Sequence, residues 1–373
     1  MKAATLPVQR PRDARLLVVD ADGRLAAHER ADLPELLAAG DLVVANDAAT
    51  LPASLSGRHL PSGATIELRL AGRTAAGAPD EAQRFSAVVF GAGDFRMRTE
   101  DRPVPPPLAP GDRLDLGPLE AEVLRTLGHP RLVEVRFAGD ADAVHAGIAR
   151  HGRPVQYAHL AEPLALWDVW TRIAGPPVAF EPPSAGFVLD WKFLDALRRR
   201  GIGFATLTHA AGLSSTGDPV LDARLPFDEP YRLPASTVTA TCAAKARGAR
   251  FVAIGTTVAR ALEHAAARPG GLHAGSGIAT NRLGRASRVQ VVDVLVSGTH
   301  EPGTSHHELL RAFVGAATLA RVDAALEAGG WRTHEFGDSV WIARERVAQA
   351  PRWNLKTATL ASRFGQARTT LPA

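Results

Sequence analysis

Cysteine is almost missing from this 373-residue chain, with Cys242 standing alone. A single thiol excludes an internal disulfide and any cysteine-built metal centre, and its place among alanines reads as structural. Lysine is scarce beside arginine, so the formal charge of +4 is carried mainly by guanidinium groups. An excess this small does not by itself require a nucleic-acid partner. No apolar run is long enough to span a membrane, and the opening MKAATLPVQRPRDARLL lacks the continuous apolar core of a signal peptide. The expectation is a cytoplasmic protein with no membrane association. No Walker loop ending, Rossmann glycine fingerprint or Ser-His-Asp order is present.

What is present is an ordinary globular composition, 46% hydrophobic and 22% charged, over a length that suits two domains. The most informative stretch is RVQVVDVLVSGTHEPGTSHHELLRAFVG, residues 288–315. Its aliphatic first half reads as a strand covered on both faces. Two glycines and a proline then break the pattern, and a helix follows, with Ser305 as its expected cap and Glu308 completing a capping box. Strand, polar loop and helix N-terminus is the arrangement in which open α/β sheets hold ligands.

Strands are expected at 15–20 and 41–45, with a short helix at 31–37 between them. Asn46 and Asp47 form a polar turn at the second strand's end. From about residue 57 short segments follow at 65–70, 85–90, 93–98, 119–124 and 132–137, separated mostly by turn residues. Such spacing without helices predicts a small antiparallel barrel or sandwich. Beyond residue 141 strands and helices alternate again, through 204–209, 250–254 and the central stretch, to FGDSVWI at 336–342. The expected architecture is a main α/β unit of residues 1–56 and 141–345 with a mainly parallel sheet. A β-barrel domain of residues 57–140 is inserted in it, and residues 346–373 form a polar basic tail.

Three strand ends carry the chemistry. After Ile254 come Gly255, Thr256 and Thr257 at a helix start, with Arg260 and Glu263 on later turns. Glycine admits a ligand to the backbone, and the threonine hydroxyls and free N–H groups suit a carboxylate, phosphate or ribose. After Val296 the loop offers His300, Thr304 and Ser305. His209 ends a third strand. His300, His306 and His307 match no standard ligand spacing, so no metal is expected.

IGTTVARALE, SGTHEPGTSHHELLRAFVG and FGDSVWIA, in this order, resemble motifs of the S-adenosylmethionine:tRNA ribosyltransferase-isomerase family. Leu207-Thr208-His209, Pro183-Ser184-Ala185-Gly186 and the Asn46-Asp47 region extend the resemblance over roughly residues 10–343. It implies a barrel-like main α/β domain with an inserted β-barrel and S-adenosylmethionine as co-substrate. It also implies a reaction that moves the donor's ribosyl part to the aminomethyl group of a 7-deazaguanine in the tRNA anticodon stem-loop, releasing adenine and methionine and giving epoxyqueuosine. On this resemblance the donor or substrate contacts are Asn46, Asp47, Ser184, Gly186, Gly255, Thr256, Thr257, Arg260, His300, Thr304, Ser305 and Asp338. His209 and Glu229 are the acid–base candidates. The chain departs from the family at Ala49 and Ser54, which replace arginines, and at Val188, which replaces a histidine. Two further readings stay open: a paralogue using S-adenosylmethionine on a small nucleoside or metabolite, and a non-catalytic ligand- or RNA-binding homologue.

Overall fold

The computed structural model describes residues 1–73 and 81–346. The basic tail expected from 346 lies, beyond its first residue, outside the described residues. The larger unit is a nine-stranded sheet. Its spatial order is Gly275–Ala279, Glu229–Leu233, Gly203–His209, Leu42–Asn46, Phe251–Ile254, Val294–Gly298, Ser339–Ala343, Arg15–Val19 and Leu25–Glu29. The β-branched and aliphatic runs of the middle strands are buried on both faces, as central positions demand. One face packs against the helices Thr256–Ala267 and Ala316–Ala328, the other against Trp191–Arg199 and the 3-10 turn Arg30–Leu36. Each fully buried aliphatic side chain in these layers contributes about 2 kcal/mol.

The expected mainly parallel sheet holds only at the centre, where Gly203–His209, Leu42–Asn46, Phe251–Ile254 and Val294–Gly298 run parallel. The flanks are antiparallel except for the pairing of Ser339–Ala343 with Arg15–Val19. Three flanking strands left little trace in the sequence. Leu25–Glu29 is largely solvent-facing, Glu229–Leu233 contains Pro230, and Gly275–Ala279 carries two glycines.

The smaller unit is a closed, fully antiparallel six-stranded barrel formed by Ser54–His59, Thr65–Arg73, Arg84–Phe90, Arg113–Leu116, Leu119–His129 and Leu132–Phe137. Leu55, Ile66, Leu68, Phe85, Val123 and Val135 fill its core. The segment 93–98, expected as a strand, is instead a turn. Asp94 accepts from the Arg96 N–H at 2.9 Å, and Gly93 has φ +114°, which bends the chain out of any ladder. The alternation at 65–70 is real, but its polar half is not in water. Glu67 and Arg69 are buried and paired, Arg102 from the connection 91–112 closes on the same carboxylate, and Arg69 lies 4.5 Å over the Phe90 ring.

Because the four central strands are parallel, they end on one edge at Asn46, His209, Ile254 and Gly298. Their following loops therefore meet. The strand expected over 289–296 begins only at Val294. The backbone N–H groups of Gln290, Val291 and Val292 bond instead to the buried Glu263 carboxylate, at 2.6–2.8 Å.

Candidate active site

At that edge, between sheet and barrel, lies a cavity of about 670 Å³. One wall is the turn from Ile254 into the helix Thr256–Ala267. Gly255 adopts φ +106°, open to glycine but strained for other residues, and a side chain there would press on Ala185 at 3.4 Å. The turn thus presents the first, unpaired N–H groups of a 12-residue helix to the cavity, flanked by Thr256, Thr257 and Ser184.

Arg260, one turn on, does not offer a free cation. It pairs with Glu229 and donates to the carbonyls of Phe227, Ala279 and Asn281 at 2.7, 2.7 and 2.9 Å. Glu229 also accepts from the Gly212 N–H at 2.6 Å. Burial pushes this carboxyl up, and the guanidinium pulls it back. The pair joins the helix to the loop 210–215 and forms part of the cavity floor.

The opposite wall is the loop Thr299–Thr304. His300 Nε2 meets Ser297 Oγ at 2.9 Å and its ring stacks on His306 at 4.8 Å. Burial, with neighbouring histidines second, holds His300 well below its ordinary value, so it is neutral. Thr304, not Ser305, is the helix cap, its hydroxyl accepting from the His307 N–H. His306 faces the cavity while His307 turns inward to Asp323 at 2.9 Å.

Nine residues singled out from the sequence line this one cavity: Ser184, Glu229, Gly255, Thr256, Thr257, Arg260, His300, Thr304 and Ser305. Five stand behind it. Asn46 bonds the His209 backbone through both ends of its amide and reaches Thr257 Oγ1 at 3.4 Å. Asp47 accepts from the hydroxyls of Thr206 and Thr208. Gly186 packs against the Thr171 side chain. His209 is wholly buried, 3.4 Å from Glu229, and burial lowers it to about 3, so it stays neutral and sits beneath the floor. Asp338, expected to touch ligand, is a clamp: it accepts from the backbone N–H and guanidinium of both Arg15 and Arg332.

The cavity's most distinctive side chains carried no motif. Glu181 is buried, with Oε1 accepting from the Tyr157 hydroxyl and from the Ser214 N–H at 3.1 Å. Burial lifts its carboxyl to about 7 against the downward pull of these bonds. Tyr157 could have been flagged as one of only two tyrosines in the chain, but nothing local marks Glu181. His159 and His334 stack at 4.2 Å, and His159 bonds Glu335 at 3.1 Å. Burial works to raise Glu335, and the bond and charge of His159 outweigh it. Three ligand atoms of His159, His334 and Glu335 lie within 4.8 Å of one another. The two rings are only 13° from parallel, so their in-plane lone pairs run side by side instead of converging on an ion. The geometry is that of an aromatic platform. His334 is the one non-glycine residue with positive φ among the described residues, at 67°. From the barrel's long connection, Arg98, Thr99 and Glu100 complete the rim.

A family model described as Queuosine biosynthesis protein matches residues 1–342. The S-adenosylmethionine:tRNA ribosyltransferase-isomerase of Sorangium cellulosum is 34% identical over 358 residues, covering 91% of this chain and 94% of its own. The protein of the same name from Azoarcus sp. is 32% identical over 349 residues, covering 91% and 94%. Among solved structures, S-adenosylmethionine tRNA ribosyltransferase from Thermotoga maritima matches with a TM-score of 0.47 and 23% identity, covering 91% of this chain and 96% of that one. No helix among the described residues is long and apolar enough to cross a membrane.

Proposed function

The chain belongs to the queuosine biosynthesis family, and we propose that it is an S-adenosylmethionine-dependent ribosyltransferase-isomerase that converts the 7-aminomethyl-7-deazaguanine of tRNA to epoxyqueuosine. The observation that carries the reading is the meeting of the Gly255–Thr257 helix start and the His300–Ser305 loop in one cavity large enough for a nucleoside donor. The donor's methionine carboxylate suits the helix start, where unpaired N–H groups and the positive end of the helix dipole favour an anion. Ribose hydroxyls suit Ser184, Thr256 and Thr257. The stacked His159–His334 pair suits the flat face of a nucleobase. The reaction then asks the protein to hold donor and amine together, exclude water and move protons.

The division into a discontinuous α/β unit and a barrel inserted at 57–140 is part of this reading, with the barrel's Arg98–Glu100 segment at the entrance for an anticodon loop. The reading uses no metal and places the work in the cytoplasm with its tRNA substrate. Incubation with S-adenosylmethionine and an anticodon stem-loop carrying the aminomethyl base should release adenine and methionine in step with loss of the stem-loop's primary amine. Adenine release with a free nucleoside acceptor but not with the stem-loop would replace this reading with a small-molecule ribosyltransferase.

A further inference from the structure

Glu229, buried on the cavity wall, has its carboxylate matched to Arg260 and the Gly212 N–H, and the half-buried Glu335 holds His159. Glu181 differs. Its Oε1 takes the Tyr157 hydroxyl and the Ser214 N–H, while Oε2 meets no hydrogen-bond partner among the described residues. The neighbouring Ser184–Ala185 segment lies against Gly255, which sets the glutamate at the border of the helix-start subsite. A carboxylate with one oxygen fixed and the other open to a buried cavity is built to exchange a proton with a bound molecule.

We propose that Glu181 is the catalytic base of the ribosyl transfer and that Tyr157 is its positioning residue; this rests on the function proposed above. A C5′–H bond beside the donor's sulfonium breaks, the proton forms an O–H bond at Oε2, and the electron pair stays on carbon as the ylide. The carboxylic acid so formed then gives its proton to adenine as the C1′–N9 bond breaks, that bond's electron pair leaving on the base and the ring-oxygen lone pair taking up the charge at C1′. No oxidant or reductant is involved.

The groups around Glu181 agree with this role. Among the described residues no cation pairs with it directly. Tyr157 faces it through its hydroxyl, and Arg69 reaches the region from the barrel, 5.6 Å from the Tyr157 ring. Glu335, paired with His159, adds a like charge that raises Glu181 further, although burial is the larger cause. The base thus changes protonation near neutral pH, where a proton can be both taken and released.

The test uses the full chain with S-adenosylmethionine and the stem-loop carrying the aminomethyl base. Absence of adenine release by the wild-type protein would defeat the functional reading itself, and the assignment with it. Given wild-type turnover, Glu181→Gln is expected to bind S-adenosylmethionine within about threefold of wild type by calorimetry and to lose kcat by ~100-fold or more. Tyr157→Phe removes a bond that orients Glu181 and holds its carboxyl down, so the acid limb of the kcat profile should move to higher pH and its plateau should fall, by less than in Glu181→Gln. The assignment is overturned if Glu181→Gln keeps kcat within tenfold, if it loses donor binding as severely as turnover, or if only its KM for the stem-loop rises. A uniform loss in Tyr157→Phe with no shift of the limb also overturns it.

Discussion

Glu229 and Glu181 line the same cavity and are both buried, yet they are held in opposite ways. Glu229 is matched to a guanidinium that itself bonds three carbonyls, so protonating it would strand Arg260. Among the described residues Glu181 is held by neutral donors, the Tyr157 hydroxyl and the Ser214 N–H. The first joins helix to loop, and the second is free to change charge. Facing a cavity is therefore a poor guide to chemistry. What separates scaffold from reactive group is whether the partner is a cation, since a buried pair resists losing either charge.

The largest break in this comparison is expected from Arg260→Met. It leaves the Glu229 carboxylate buried without its cation and should lower stability by about 4 kcal/mol, read by urea denaturation. Glu181→Gln should act in the reverse direction. Its folded value of about 7 lies above the ordinary 4.5, so the unfolded chain gives up the proton first. The stability this group contributes is complete below about pH 4.5 and is lost as pH rises toward 7. Removing the ionisation should therefore make the variant more stable than wild type at pH 8, by up to about 3 kcal/mol, with the advantage gone at pH 4. Equal stability at both pH values would show that Glu181 is not the strained member of the pair.

Asp338 tests the same contrast outside the cavity. Burial opposes its charge, but bonds from Arg332 and Arg15 win and hold it below the usual carboxylate range. Its contribution is present above about pH 4 and is lost as pH falls through the depressed folded value. Asp338→Asn should cost about 2 kcal/mol at pH 7 and flatten that acid-side loss. The smallest effect is expected from Thr304→Ala, where a lost helix cap should cost about 1 kcal/mol in thermal or urea denaturation.

Much of this arrangement was legible in the sequence because it is local. Gly255-Thr256-Thr257 after an aliphatic run, or a polar loop between Val296 and a capped helix, declares its own geometry. The barrel showed through turn spacing and alternation. Glu181 was invisible because it acquires its character only when Tyr157 and Ser214, far away in sequence, close over it. Asp338 misled for a related reason: FGD looks like a ligand motif until Arg15, more than three hundred residues earlier, folds against it. His209 ends its strand as read, but the strand sits deep enough to put the ring under the floor.

The entrance and the floor of the cavity come from different modules. Arg98, Thr99 and Glu100 belong to a connection between barrel strands, whereas Gly255 and His300 follow strands of the nine-stranded sheet and Glu181 follows the short strand Pro177–Ala179, paired with Ala49–Thr50. Exchange of that single connection between relatives would alter which molecules gain admission while the reacting groups keep their positions, so selectivity and reactivity in this architecture can diverge along separate lines of descent.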